Sequence, residues 1–242
     1  MIAVALFDLD DTLFQHRQAV RDGIAAHLAT HLPHVDAAAH QDRWDELEEH
    51  HYHRYLSGEL DYLGQRRARA RDFMAPFGIE YPQDDAAEAW FSTYLLEYER
   101  AWRLYDDALP CLDALEEKGI RIGLITNGEL HFQVAKLDAM ALAARLEHVI
   151  ASGEFGVTKP DPRIFLHACA EFGVAPSAAV YVGDRLQTDA IGAANAGLHG
   201  VWLDRGGAAA AAAADDAALA ASGVRVISTL AQLPALVESL GQ

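Results

Sequence analysis

Two aspartates, Asp8 and Asp10, stand directly behind a short apolar run from Ile2 to Phe7. Carboxylates two positions apart on an extended segment face the same way, so both can serve one ligand. Brought together away from water they repel each other, and a cation or a shared proton relieves that cost. A nucleophile beside an acid/base, both leaning on a metal, is the chemistry this spacing supports. Three more groups have the same setting. Thr126-Asn127-Gly128 follows Ile120 to Ile125, Lys159-Pro160 follows Val149 to Ala151 and a glycine-bearing loop, and Gly183-Asp184 follows Ala179 to Val182 with Asp189 five positions on. A threonine hydroxyl with backbone amides freed by Gly128 suits an anionic oxygen. A lysine at the third place can neutralise a carboxylate–phosphate cluster, and Asp184 is placed for metal binding. Each has a bland counterpart: Asn-Gly is an ordinary turn pair, and Asp189 enters a helix whose dipole favours a first-turn acid. Thr12 is positioned either to orient Asp10 or to cap the next turn.

The elements that must hold these groups follow from periodicity. After Pro110 short apolar runs alternate with amphipathic ones. Strands are expected at Ile120 to Thr126, His148 to Ala151, Ala179 to Val182, Val201 to Leu203 and Val224 to Ile227, joined by the N-terminal run. Helices are expected near Cys111 to Lys118, Leu130 to Ala141, Pro162 to Phe172 and Gln187 to Ala196. That alternation predicts an α/β fold, a Rossmann-like parallel sheet with helices on both faces, whose ligands sit at the carboxyl ends of the strands. From Gln15 to Trp102 only helical patterns occur, about four helices punctuated by Gly58, Gly64, Pro76, Gly78 and Pro82. The expected organisation is a discontinuous core, 1–14 and 107–242, with an all-helical insertion at 15–106. Gly206 to Gly223, including the alanine-rich Ala208 to Ala221, reads as a solvent-facing helix or connection.

Composition narrows the function classes. The 242 residues are 51% hydrophobic and 23% charged, as in a globular protein with a real core. A net charge of 19 − 36 = −17 argues against a nucleic acid polymer as partner while leaving room for a small anionic metabolite. Cys111 and Cys169 read as reduced core residues. The N-terminal run lacks a basic flank and ends in aspartates, and no apolar stretch reaches the ~20 residues that span a bilayer, so a cytoplasmic protein without membrane contact is expected. Oligomeric state is not legible.

Taken in order, Asp-x-Asp-x-Thr, Thr-Asn-Gly, Lys-Pro and Gly-Asp-x-x-x-x-Asp resemble the motif set of the haloacid dehalogenase-like hydrolase superfamily, over nearly the whole chain. The resemblance implies Asp8 as nucleophile, forming an aspartyl-phosphate, and Asp10 as acid/base. It implies Thr126 and the Asn127 amide as phosphoryl ligands, Lys159 as stabiliser of the shared negative charge, and Asp184 as a Mg²⁺ ligand with the Asp8 side chain and the Asp10 carbonyl. Asp189 would act through a coordinated water or by hydrogen bonds around the metal. Superfamily members that dehalogenate 2-haloacids lack an acid at the place of Asp10, since halide leaves without a proton, so a phosphate monoester is the expected substrate. The insertion resembles an α-helical cap. The nearest likeness is to the nucleotidase and acylneuraminate-phosphate phosphatase branches, which implies a nucleoside monophosphate or a sugar phosphate. The rival readings are a phosphomutase, a dehalogenase and a non-catalytic binding protein. Arg66, Arg67, Arg69 and Arg71 read first as a solvated face balancing acids such as Asp61 and Asp72, and only second as a substrate contact. Trp44, Trp90 and Trp102 read as core, and His50, His51 and His53 lack the partners of a zinc site.

Overall fold

The computed structural model describes residues 1–207 and 222–241, so the alanine-rich stretch lies outside the described residues. Chain order begins with β1 (Val4–Phe7) and continues through the helices α1 (His16–His31), α2 (Gln41–Leu56), α3 (Tyr62–Met74) and α4 (Asp84–Arg100). Strand–helix alternation follows: α5 (Ala108–Glu116), β2 (Arg121–Thr126), α6 (Leu130–Ala139), β3 (His148–Ala151), α7 (Ser152–Phe155), α8 (Pro162–Glu171) and β4 (Ala179–Gly183). A π-helical turn (Leu186–Ile191), α9 (Gly192–Asn195), β5 (His199–Leu203), β6 (Arg225–Ile227) and α10 (Leu233–Leu240) complete the described chain. Two compact units result, Met1–Gln15 with Arg103–Gln242, and His16–Trp102.

The first unit is a six-stranded sheet in the order β3-β2-β1-β4-β5-β6, and every pairing is parallel. Such a sheet must be covered on both faces, which is why its strands read as near-continuous apolar runs. Val4 and Leu6 join Ile164, Phe165 and Ala168 of α8 in one apolar cluster. Ala5 and Phe7, pointing the other way, are equally buried. Strand order reverses about β1: the chain moves outward through β2 and β3, then returns to pair β4 with the opposite edge of β1. Phe7 stands level with Leu124 and with Val182, so the segments leaving β1, β2 and β4 emerge together at the switch point where open α/β sheets bind ligands.

Local corrections have simple causes. Helix α5 starts at Ala108, with Pro110 tolerated in its first turn, where the missing N–H is not needed. Gly64 lies inside α3, because Asp61 caps that helix and accepts a hydrogen bond from the Gly64 amide at 2.5 Å. The expected helix at Gln187 to Ala196 is divided into the π-helical turn and α9.

The second unit packs α1 on α4, and α3 on both α2 and α4. Trp44 is fully buried among Phe73, Phe91 and Tyr94, edge-on to Tyr94 at 4.8 Å between centroids. The Arg69 guanidinium lies 3.7 Å from the Trp44 ring centroid and donates to Glu48 at 2.9 Å. An arginine inside this core is tolerated because its charge is paired and its plane is stacked.

Candidate active site

The chain leaving β1 folds back on itself at once. Thr12, Leu13 and Phe14 all donate backbone N–H groups to the Leu9 carbonyl, and Asp11 turns the chain at φ 58°, a left-handed conformation aspartate accepts better than most residues. The loop therefore presents Asp8 and Asp10 on fixed backbone. Asp8 is buried, its amide donating to the Val182 carbonyl of β4 at 2.9 Å. Thr12 does neither of the things expected of it: its hydroxyl donates to Asp8 Oδ2 at 3.4 Å and accepts from the Asp184 amide at 3.1 Å. It thus ties the first aspartate loop to the last. Arg205 holds the same loop from below, donating to the Thr12 carbonyl at 3.1 Å while forking onto Asp107 at 2.8 and 2.9 Å.

Lys159 is the electrostatic centre of the site. Its buried ammonium donates to Asp8 Oδ1 at 2.7 Å, Asp189 Oδ1 at 2.8 Å and the Tyr181 hydroxyl at 2.8 Å. An ammonium has three N–H donors, so this arrangement spends all of them. Burial works against the charge, but Asp189 and Asp8 outweigh it and hold the lysine above its ordinary pKa. Tyr181 donates onward to the Ile125 carbonyl at 3.0 Å; burial, then Asp189 and Asp8, keep its phenol neutral far beyond the usual range. The backbone of Lys159 is fixed as well. The Asn127 side chain accepts from the Lys159 amide at 2.8 Å and donates to the Lys159 carbonyl at 3.0 Å, a two-point clamp joining the loop after β2 to the cis Lys159-Pro160 segment. Thr126, buried, ends β2 opposite Ala151 of β3, and the Gly128 amide donates to Ser152 Oγ at 3.1 Å.

Asp189 is fully buried inside the π-helical turn, a rare geometry that recurs at functional sites. Its Oδ1 takes Lys159 and its Oδ2 takes the Arg185 amide at 3.0 Å. Gly183 makes room for it: a Cβ there would stand 2.4 Å from the Asp189 carboxyl carbon. Asp184 itself is anchored by Trp202 Nε1, which donates to its carbonyl at 2.9 Å.

Carboxylate oxygens of Asp8, Asp184 and Asp189 all lie within 4.8 Å of one another, the only such group of three possible metal donors among the described residues. Burial raises Asp8 to about 6, against the pull of Lys159 and with a push from Asp189 and Asp10. Burial raises Asp184 to about 8, helped by Asp8, Asp189 and Asp11. Lys159 alone does not neutralise the cluster. An all-oxygen, doubly acidic site of this kind fits a hard divalent cation such as Mg²⁺. Asp189 gives its oxygens to the Lys159 ammonium and the Arg185 amide at 2.8 and 3.0 Å, whereas Asp8 Oδ2 meets only the Thr12 hydroxyl, at 3.4 Å, so Asp8 and Asp184 are the better-suited ligands.

Asp10 is partly exposed and is held by a residue the sequence does not single out, Lys136 of α6, at 2.6 Å. The signal was present: Lys136 shares a helix face with Gln133 and Leu137, the buried stripe of α6. Tyr181 was hidden more thoroughly, as one more apolar residue in a buried strand. In the helical unit the arginines are spent on other acids than expected: Arg67 on Asp84 and Glu88, Arg71 on Asp84, and Arg69 on Glu48. His51 pairs with Asp72 at 2.8 Å.

Residues 2–197 match the haloacid dehalogenase-like hydrolase family. The chain is 32% identical over 214 residues to a glyceraldehyde 3-phosphate phosphatase of Methanopyrus kandleri, covering 85% of each protein. It is 36% identical over 140 residues to the mouse N-acylneuraminate-9-phosphatase, spanning 57% of this chain and 53% of that one. Its fold superposes on the magnesium-bound HAD-hydrolase YfnB of Bacillus subtilis with a TM-score of 0.77 at 17% identity, over 98% of both chains.

Proposed function

The chain belongs to the haloacid dehalogenase-like hydrolase family, and from that membership we propose that it hydrolyses a small phosphate monoester through an aspartyl-phosphate on Asp8, with Mg²⁺ as cofactor. The observation that carries the reading is the convergence on Asp8 of Lys159, from the segment between α7 and α8, and of Asp184, from the end of β4.

In the first step an Asp8 carboxylate oxygen attacks phosphorus, the ester P–O bond breaks, and Asp10 passes its proton to the departing alkoxide. In the second step Asp10, now ionised, takes a proton from water as the water oxygen attacks phosphorus. The bond to Asp8 breaks, releasing inorganic phosphate and restoring both side chains. Lys159 holds Asp8 by one oxygen, which aims the other, and its charge offsets the negative charge accumulating on the phosphoryl group. Thr126 and the Asn127 amide take phosphoryl oxygens, while the Asn127 side chain keeps Lys159 in register. The Asp8 and Asp184 side chains and the Asp10 backbone carbonyl would hold Mg²⁺, which would supply charge neutralisation and alignment. Asp189 supports the site through Lys159 and the turn that carries it.

The relatives named for glyceraldehyde 3-phosphate and for an acylneuraminate phosphate favour a phosphorylated sugar or short polyol over a nucleoside monophosphate. We assign the choice among such esters to the inserted helical segment, 15–106, acting as a cap domain. The test is phosphate release by purified, EDTA-treated protein from glyceraldehyde 3-phosphate, an acylneuraminate 9-phosphate, nucleoside monophosphates and p-nitrophenyl phosphate, with and without Mg²⁺. Turnover of at least one ester only with the metal is expected. Asp8→Asn should abolish turnover with an unchanged circular dichroism spectrum. Normal turnover by that variant would remove the proposed nucleophile.

A further inference from the structure

We propose that Lys136 is the positioning residue for Asp10: a buried ammonium that grips one carboxylate oxygen and aims the other at the leaving group. The proposal rests on the reading of Asp10 as the acid/base. Lys136 lies on the buried face of α6 with only 1% of its surface exposed, and its Nζ is 2.6 Å from Asp10 Oδ1. The asymmetry of the pair is informative. The lysine side chain is 2% exposed and the aspartate 30%, so the cation sits inside the protein while the acid keeps part of its surface in water. A surface ion pair has both members in water and contributes little. Here an ammonium has been desolvated beside Asp10, an arrangement seldom favourable for stability alone, since a hydrophobic side chain of the same size does as well.

The surroundings leave Nζ little freedom. It lies 5.1 Å from the ring centroid of Phe14 and 5.2 Å from that of Phe132, within the range of cation–π attraction to both. Phe14 belongs to the catalytic loop itself and bridges to Asp10 through the backbone, while Asp11 donates to its carbonyl. The lysine is thereby fixed by the loop whose carboxylate it orients. An aspartate has two side-chain torsions to fix, and proton transfer needs the heavy atoms within about 2.6–3.2 Å. A misplacement of about 1 Å can cost ~10²-fold in rate. Lys159 positions the nucleophile in the same way, so the site carries two buried lysines, one for each catalytic aspartate.

The experiment compares wild type, Lys136→Met, Lys136→Gln, Asp10→Asn and the Lys136→Met/Asp10→Asn double variant, with Mg²⁺, on an alkyl phosphate and on p-nitrophenyl phosphate. The quantity read is kcat/KM, which reports the steps up to the phosphoaspartate. For the alkyl ester, whose alkoxide needs a proton, Lys136→Met should lose about 10–100-fold. The nitrophenyl ester, whose leaving group departs without one, should lose far less. The Ki for inorganic phosphate should be unchanged, Lys136→Gln should recover part of the loss, and Lys136→Met should add nothing in the Asp10→Asn background. Equal losses on both esters, a weakened Ki, full additivity with Asp10→Asn, or unfolding of both Lys136 variants would overturn the assignment. Wild type inert on every ester sinks the acid/base reading itself. An active wild type, an impaired Asp10→Asn and an unimpaired Lys136→Met sink the Lys136 assignment alone.

Discussion

Metal binding should displace protons from the aspartate cluster. Burial and mutual repulsion place the metal-free cluster at about 6 for Asp8 and about 8 for Asp184, values that belong to the interacting group as a whole. At pH 7 the cluster therefore carries about one proton, which Mg²⁺ should expel on binding. The sign follows: acid competes with the metal, so apparent affinity rises with pH and levels off above about 8. With about one proton to expel, the apparent Kd should weaken by about tenfold per pH unit below 8. A steeper fall at lower pH marks the second proton of the cluster. Isothermal titration of EDTA-treated protein with MgCl₂, in buffers of different ionisation enthalpy, reads both quantities without any substrate. About one proton should be released per Mg²⁺ at pH 7 and about a tenth of one at pH 9. Asp184→Asn should remove most of the release along with most of the affinity. A Kd that stays flat from pH 6 to 8 with no proton release would refute the electrostatic account of this site.

Two further predictions test the scaffold. Gly183→Ala puts a methyl group 2.4 Å from the Asp189 carboxyl carbon, and overpacking of this kind costs about 1–3 kcal/mol; a denaturant titration with unchanged midpoint and full activity would show that Gly183 is not needed to seat Asp189. In the helical unit burial opposes the charge of Glu48, but Arg69 and His16 pull its carboxyl well below the usual range. That contribution is present above pH ~4.5 and is lost as pH falls through the lowered native value. Arg69→Met should therefore destabilise the protein at pH 7 and matter less in strong acid. Glu48 keeps 28% of its side-chain surface in water, so the loss at pH 7 should be about 1–3 kcal/mol, and an equal loss at pH 3 would contradict the pairing.

Much of the site was legible because the chemistry sits at strand ends. A buried parallel strand must be an apolar run, and whatever polar residue follows it is delivered to the carboxyl edge of the sheet. Asp8, Thr126 and Asp184 were locatable on that rule alone. Lys159 was harder, since a loop and α7 separate it from β3, and its place rested on the order of the motifs. Asp189 is placed near the metal only by the order of the motifs; by itself it reads as a helix-dipole residue, because nothing in Gln187 to Ala196 announces a π-helical turn. Thr12 was assigned to its neighbours in sequence, whereas its hydroxyl is used 172 positions away, on the Asp184 amide.

The sequence by itself determined that several carboxylates and one lysine would gather at the switch point of a parallel sheet, because strand burial and chain order are written in local pattern and composition. Which ammonium meets which oxygen was settled only by tertiary structure. Lys136 reaches Asp10 across 126 positions, and Lys159 reaches Asp8 across 151; both pairings depend on the angle and height at which crossover segments return to the sheet. That placement is fixed by side-chain packing on the two faces, a property of the assembled core that no stretch of the chain specifies alone.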